Sequence, residues 1–156
     1  MQSTKRLFLF DFDGVLVSSL DVYERTVRLC LEKIGQQVVK SREDFLDLFN
    51  ENFYEAIEKK GVDLKAFMEA SVDILAGVNF DEIKPYKEIF PVLEKMEKES
   101  VLIIISSNAS DAIRHALKKY SYNGAFKEIL GSDFDLSKRK KIDYTIEKYG
   151  IGRNET

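Results

Sequence analysis

Leu7-Phe8-Leu9-Phe10-Asp11-Phe12-Asp13-Gly14-Val15-Leu16-Val17-Ser18-Ser19 is the stretch on which the fold turns. Four consecutive apolar residues without alternation predict a short strand covered on both faces. That strand ends in two carboxylates. Asp11 and Asp13 stand two residues apart, so an extended backbone sends both side chains to the same side, about 7 Å apart along the chain at 3.3 Å per residue. Gly14 permits a sharp turn, and Ser18 with Asp21 reads as a capping box that opens a helix. A solvated surface turn would account for Asp and Gly alone. It needs no second Asp facing the same way, and it would not continue as Val15-Leu16-Val17.

Downstream, the pattern becomes helical. Leu20, Tyr23, Val27, Cys30, Leu31 and Ile34 follow helical spacing, with Gly35 where a C-terminal cap belongs. Ser41 with Asp44 opens a second helix carrying Phe45, Leu48 and Phe49. Asn52 or Asn50 opens a third with Phe53 and Ile57, and Asp63 a fourth with Leu64, Phe67, Met68, Ile74 and Leu75. Residues 19–79 therefore predict a small all-helical bundle whose stripe of Phe45, Phe49, Phe53 and Phe67 builds its core. Charges such as Arg42, Lys59 and Lys60 read as a solvated helix face.

After Pro85 helices and strands alternate. Ile89, Val92, Leu93 and Met96 mark a helix that tolerates Pro91 only in its first turn. Val101 to Ile105 is an unbroken aliphatic run, hence a second buried strand, and Phe126 to Leu130 is a third. Crossover helices between such strands predict a parallel α/β sheet. Ser106-Ser107-Asn108 follows the second strand, with Asp111 placed to complete a capping box with Asn108. In parallel sheets, ligands bind beyond the carboxyl ends of the strands, where helix N-termini offer amides to anions; a hydroxyl there suits phosphate. His115, with no metal-spaced partners, reads as an ordinary helix residue. Ser137-Lys138-Arg139-Lys140-Lys141 precedes a last helix from Ile142 to Tyr149, closed by Gly150.

Composition narrows the classes. The chain has 156 residues, 44% hydrophobic and 33% charged, as a globular domain does. Its net charge of -3 argues against a nucleic-acid surface. The apolar run after the basic Met1 to Arg6 is too short for a signal-peptide core or a membrane span. Cys30, the only cysteine, can make no internal disulfide and reads as a buried thiol in a reducing cytoplasm.

The run Asp11-Phe12-Asp13-Gly14-Val15-Leu16-Val17-Ser18-Ser19 resembles the first motif of the haloacid dehalogenase superfamily, and the chain as a whole resembles its phosphoglycolate-phosphatase-like members. Most of the superfamily are magnesium-dependent phosphatases. The resemblance implies a Rossmann-like parallel core in residues 1–18 and 80–156, with three strands of the usual five or more. It also implies a helical cap in 19–79, of the kind found in members that act on small phosphorylated metabolites. It makes Asp11 the nucleophile that forms an aspartyl-phosphate and Asp13 the acid and base. Magnesium would bind the Asp11 side chain and the Asp13 backbone carbonyl. Ser106 matches the second motif and, with Asn108, is expected to bind phosphate. Ser-Lys before a helix that closes with Gly twelve residues after the Lys matches the third motif best at Lys138, with Lys140 and Lys141 as alternatives. Dehalogenase members lack an acid at the position of Asp13 and use no metal, so Asp13 favours a phosphatase.

The family's fourth motif has no counterpart, because the chain ends at Ile151-Gly152-Arg153-Asn154-Glu155-Thr156, where a fourth strand would begin. That departure implies either a fragment of a longer phosphatase or a short protein whose first strand is covered by a second copy or a partner chain. The corresponding alternative function is a non-catalytic interaction module that works through its exposed sheet edge.

Overall fold

Arg6–Phe10 forms β1, and its apolar run pairs in parallel with Ser100–Ile105, β4, from Arg6 opposite Ser100 to Phe10 opposite Ile104. Glu128–Leu130, β5, lies on the other side of β4, also parallel, with Ile105 opposite Leu130. The order β1-β4-β5 puts the most apolar strand in the centre, where Leu102, Ile103 and Ile104 are buried. This is an α/β Rossmann-like parallel sheet. The computed structural model describes residues 6–122 and 124–150. Residues 151–156, where a fourth strand was expected to begin, lie outside the described residues, as do residues 1–5 of the basic opening.

The chain divides into two compact units, Met1–Ser18 with Pro85–Thr156 and Ser19–Lys84. The sequence pattern places the second boundary at 79/80 rather than at Lys84; a short 3-10 turn, Phe80–Glu82, lies in between. Val17–Ser18 (β2) and Lys84–Pro85 (β3) are the two-residue strands where the chain passes between the units.

In the core unit, strand alternation sorts the side chains. Leu7, Leu9, Val101, Ile103, Ile105 and Leu130 form one cluster with Ile142, Tyr144 and Tyr149 of the last helix, Lys138–Tyr149 (α7). Phe10 meets Phe126 edge-on at 5.9 Å, Phe126 meets Tyr122 at 6.2 Å, and Tyr122 stacks on Phe90 at 4.1 Å. Phe90 begins α5, Phe90–Glu99, with Pro91 in its first turn as its fixed φ requires. The third strand is shorter than the expected Phe126 to Leu130: it starts at Glu128, and Phe126 before it stands in this aromatic row. Between β4 and β5 runs α6, Ser110–Lys119, which buries Ile113 and Leu117.

The helical unit holds α1 (Leu20–Lys33), α2 (Arg42–Asp47), α3 (Phe53–Lys59) and α4 (Leu64–Ala76). Its core gathers Val27, Cys30, Leu31, Phe45, Leu48, Phe53, Ile57 and Phe67. Phe49 was expected among them but is 39% exposed; it stays in the aromatic row, edge-on to Phe45 at 5.2 Å. Ser18 does not cap α1. The helix starts at Leu20 with Ser19 in the N-cap place and no side-chain cap bond, because Val17–Ser18 is drawn into β2. No described helix is long and apolar enough to cross a membrane.

Candidate active site

Beyond the carboxyl end of β1 the chain carries Asp11 and Asp13, with Phe12 between them turned inward and buried. The alternation that buries Phe12 leaves both carboxylates outside the core. Gly14, at φ 74°, closes the turn, its amide donating to the Val17 carbonyl at 2.9 Å; a side chain would be strained in that conformation. Both oxygens of the Asp11 carboxylate accept hydrogen bonds. Oδ1 accepts the Phe12 amide at 2.8 Å, and Oδ2 accepts Lys138 Nζ at 2.5 Å from 127 residues away. Both side chains remain about one-third exposed, so this ion pair opens to solvent.

Ser106, directly after β4, is fully buried. Its hydroxyl donates to Asp13 Oδ2 at 3.4 Å and accepts the Asn108 amide at 3.0 Å. Its own amide donates to the Leu130 carbonyl at 3.0 Å, and its carbonyl accepts Lys141 Nζ. The Asn108 side chain accepts the Ala109 amide at 2.9 Å. The expected capping box between Asn108 and Asp111 is not formed. The N-cap position of α6 falls to Ala109, which has no side chain to cap with, and Asp111 pairs with Arg114 at 3.0 Å instead.

The missing cap comes from the turn after β5. Asp133 Oδ1 accepts the Ser110 amide at 2.6 Å, the Ser110 hydroxyl accepts the Gly131 amide at 2.9 Å, and the Asn108 carbonyl accepts the Ser132 amide at 2.9 Å. The Ser110 amide also holds the Asp133 carboxyl below the usual carboxylate range. A Cβ on Gly131 would stand 2.4 Å from the Ser110 nitrogen and 2.5 Å from the Asn108 oxygen, so only glycine lets the two turns approach. This clasp escaped the sequence reading. Gly131 directly after an apolar strand, with Asp133 two residues on, was the available signal.

The basic run is not a patch preceding a helix. Ser137 accepts the Lys140 amide at 3.4 Å, and α7 starts at Lys138, so the four bases form its first turn. Lys138 and Lys141, three residues apart, share one helix face. Lys138 reaches Asp11, and Lys141 is fully buried under Ser106. Lys140 points elsewhere, to Asp135 at 3.4 Å. Burial pushes the Lys141 ammonium down to about 8 and the Lys138 charge adds to it, against the pull of the Asp135, Asp11 and Asp133 carboxylates.

The structure thus brings Asp11 to Lys138 and Asp13 to Ser106 and, through Ser106, to Asn108. The arrangement offers two carboxylates, a hydroxyl and an ammonium at the strand ends. Hard carboxylate oxygens suit a magnesium ion, which takes one or two of them with waters and a substrate phosphate. Among the described residues no group of three or more His, Cys, Asp or Glu could hold a metal.

Comparison with solved structures gives the same fold. A predicted phosphatase from Clostridium acetobutylicum superposes with a TM-score of 0.78 at 22% identity, over 98% of this chain and 74% of that one. A haloacid dehalogenase-like family hydrolase from Streptococcus pneumoniae gives 0.73 at 14% identity, over 95% and 71%. A predicted phosphoglycolate phosphatase from Haemophilus somnus gives 0.66 at 17% identity, over 97% and 74%. No curated protein sequence matches the chain. The family model for haloacid dehalogenase-like hydrolases matches residues 8–156, from the first strand past the helix that carries Lys138, and the chain belongs to that family.

Proposed function

We propose that this site belongs to a phosphatase that hydrolyses a small phosphate monoester through an aspartyl-phosphate on Asp11. The observation that carries the reading is the meeting of Asp11 with Lys138 and of Asp13 with Ser106, across 127 and 93 residues of chain. Nothing in a solvated turn requires those pairs. The phosphatase names of several structural relatives agree with it.

In this reading an Asp11 oxygen attacks phosphorus as the bond to the leaving oxygen breaks, and Asp13 gives that oxygen its proton. Asp13, now a carboxylate, takes a proton from water. The resulting hydroxide attacks phosphorus, breaks its bond to Asp11, and restores the free carboxylate with release of phosphate. The Ser106 hydroxyl and the Lys138 ammonium bind the equatorial oxygens, where charge accumulates. Asn108 supports that set through its amide on the Ser106 hydroxyl. The Asp11 side chain and the Asp13 carbonyl would hold magnesium, which when bound screens the repulsion between nucleophile and phosphate.

The test is hydrolysis of a generic aryl phosphate with magnesium, alongside binding of inorganic phosphate, with Asp11→Asn as control. Activity in the parent and a loss of at least about a thousandfold in the variant are expected, since the nucleophile is removed. A folded protein that neither hydrolyses the ester nor binds phosphate overturns the reading and leaves the interaction-module alternative.

A further inference from the structure

We propose that Lys141 is a positioning residue of the phosphate site: its buried ammonium, bonded to the Ser106 carbonyl, fixes and polarises the Ser106-Ser107 peptide and so sets the affinity for phosphate. The inference rests on the phosphatase reading and deepens it.

A fully buried lysine on the first turn of a helix needs a reason, because desolvating an ammonium is costly and long side chains usually reach water. Lys141 does not reach water, and among the described residues its hydrogen bond goes to a carbonyl and not to a carboxylate. It bonds to the carbonyl of Ser106, whose hydroxyl touches Asp13. Every polar group of Ser106 is thereby engaged: amide to Leu130, carbonyl to Lys141, hydroxyl to Asp13 and the Asn108 amide. A cation on a carbonyl withdraws electron density along the peptide, which makes the N–H on its far side, that of Ser107, a stronger donor to an anion. Lys138, one turn earlier on the same face, supplies direct charge; Lys141 acts through the backbone. The carboxylates of Asp11, Asp133 and Asp135 surround the pair and lower the cost of keeping both ammonium groups there.

The experiment compares the parent chain with Lys141→Met, which keeps the side chain's length and packing but removes its charge and donor. Two quantities are read: the dissociation constant for inorganic phosphate by calorimetry, and amide hydrogen exchange at Asn108 against Ile103 to Ile105 in β4. Phosphate binding about tenfold weaker is expected, the loss of one charge-assisted hydrogen bond. Exchange at Asn108 should be faster while the β4 amides stay protected. A purely structural lysine would loosen both together. Should the methionine variant fail to fold, Lys141→Leu, which likewise lacks the charge and the donor, is read in the same way. Unchanged phosphate affinity, or loosening spread equally over β4, overturns this inference while leaving the phosphatase reading standing. A parent chain that binds no phosphate overturns the phosphatase reading itself, and this inference with it.

Discussion

Helices of the two units begin in two ways, with α1 of the helical unit lacking a side-chain cap and α7 of the core unit carrying its own in Ser137 as the exceptions to an otherwise clean contrast. In the helical unit each of α2, α3 and α4 is capped by the residue just before it: Ser41 accepts the Asp44 amide at 3.0 Å in a full capping box, Asn52 accepts Tyr54 at 3.0 Å, and Asp63 accepts Ala66 at 3.0 Å. In the core unit α5 and α6 have no such bond, and the first amide of α6 is served by Asp133, 23 residues further on. The contrast separates stability that is local from stability that is shared with a site. A helix that only packs can carry its own cap. One that starts at the carboxyl end of a central strand commits the residues before it, Ser106 to Asn108, to the site and takes its cap from the neighbouring turn.

The sharpest way to break this contrast is at Gly131, where the two turns meet. Gly131→Ala is expected to lower stability by about 3 kcal/mol, since the added carbon collides with backbone atoms of Ser110 and Asn108 that have no room to move. A loss in urea denaturation smaller than that of a single cap would show that the close approach is not required.

Titration of Lys141 should give the next largest effect. Its ammonium is held down to about 8 in the folded chain against 10.5 when unfolded, so the unfolded state binds more protons between those values. Stability should therefore rise with pH, by about 2–3 kcal/mol between pH 7 and 10, and Lys141→Met should abolish that rise. The groups that bear on it are Lys138, Asp11, Asp133 and Asp135. Above pH 10 the trend should reverse, because burial pushes the hydroxyls of Tyr122 and Tyr149 up to about 12, and the unfolded chain loses those protons first. A metal-free melt series across this range would reveal both limbs; a flat parent profile would contradict the buried charge.

Caps should cost less and separate the units most cleanly. Asp133→Ala and Asp63→Ala are each expected to lose about 1 kcal/mol. The core variant should also weaken phosphate binding, and the helical one should leave it unchanged. Equal effects on binding would mean that the clasp does not shape the site. Smallest of all is Lys59→Ala: its exposed pair with Glu51 should leave the melting temperature unmoved.

What the sequence made legible divides between local signals and long-range ones. Apolar runs predicted β1 and β4, because strands covered on both faces need no partner's identity to be read. The caps Ser41 and Asp63, and Asn52 as one of two candidates with Asn50, were visible because cap and helix lie within four residues. The pair Asp11 and Asp13 was visible from its period, and Ser106 from its place after a strand. The starts of α1 and α6 were misread because tertiary pairing withdrew Ser18 and Asn108 from capping. The basic turn of α7 hid its two roles for a related reason. Only the fold tells Lys138, one-third exposed on a carboxylate, from Lys141, sealed under a carbonyl.

The spacing of the site along the chain also carries a consequence for synthesis on the ribosome. The helical unit is one continuous segment, so its core can assemble while the later strands are still being made. The acid pair leaves the ribosome well ahead of its partners, since Ser106 and Lys138 follow 93 and 127 residues behind. At about 5–20 residues per second, Asp11 waits on the order of ten seconds for its lysine. During that interval β1 is an apolar strand without its neighbour β4, so the nascent chain depends most on protection from aggregation before residue 100 has left the tunnel.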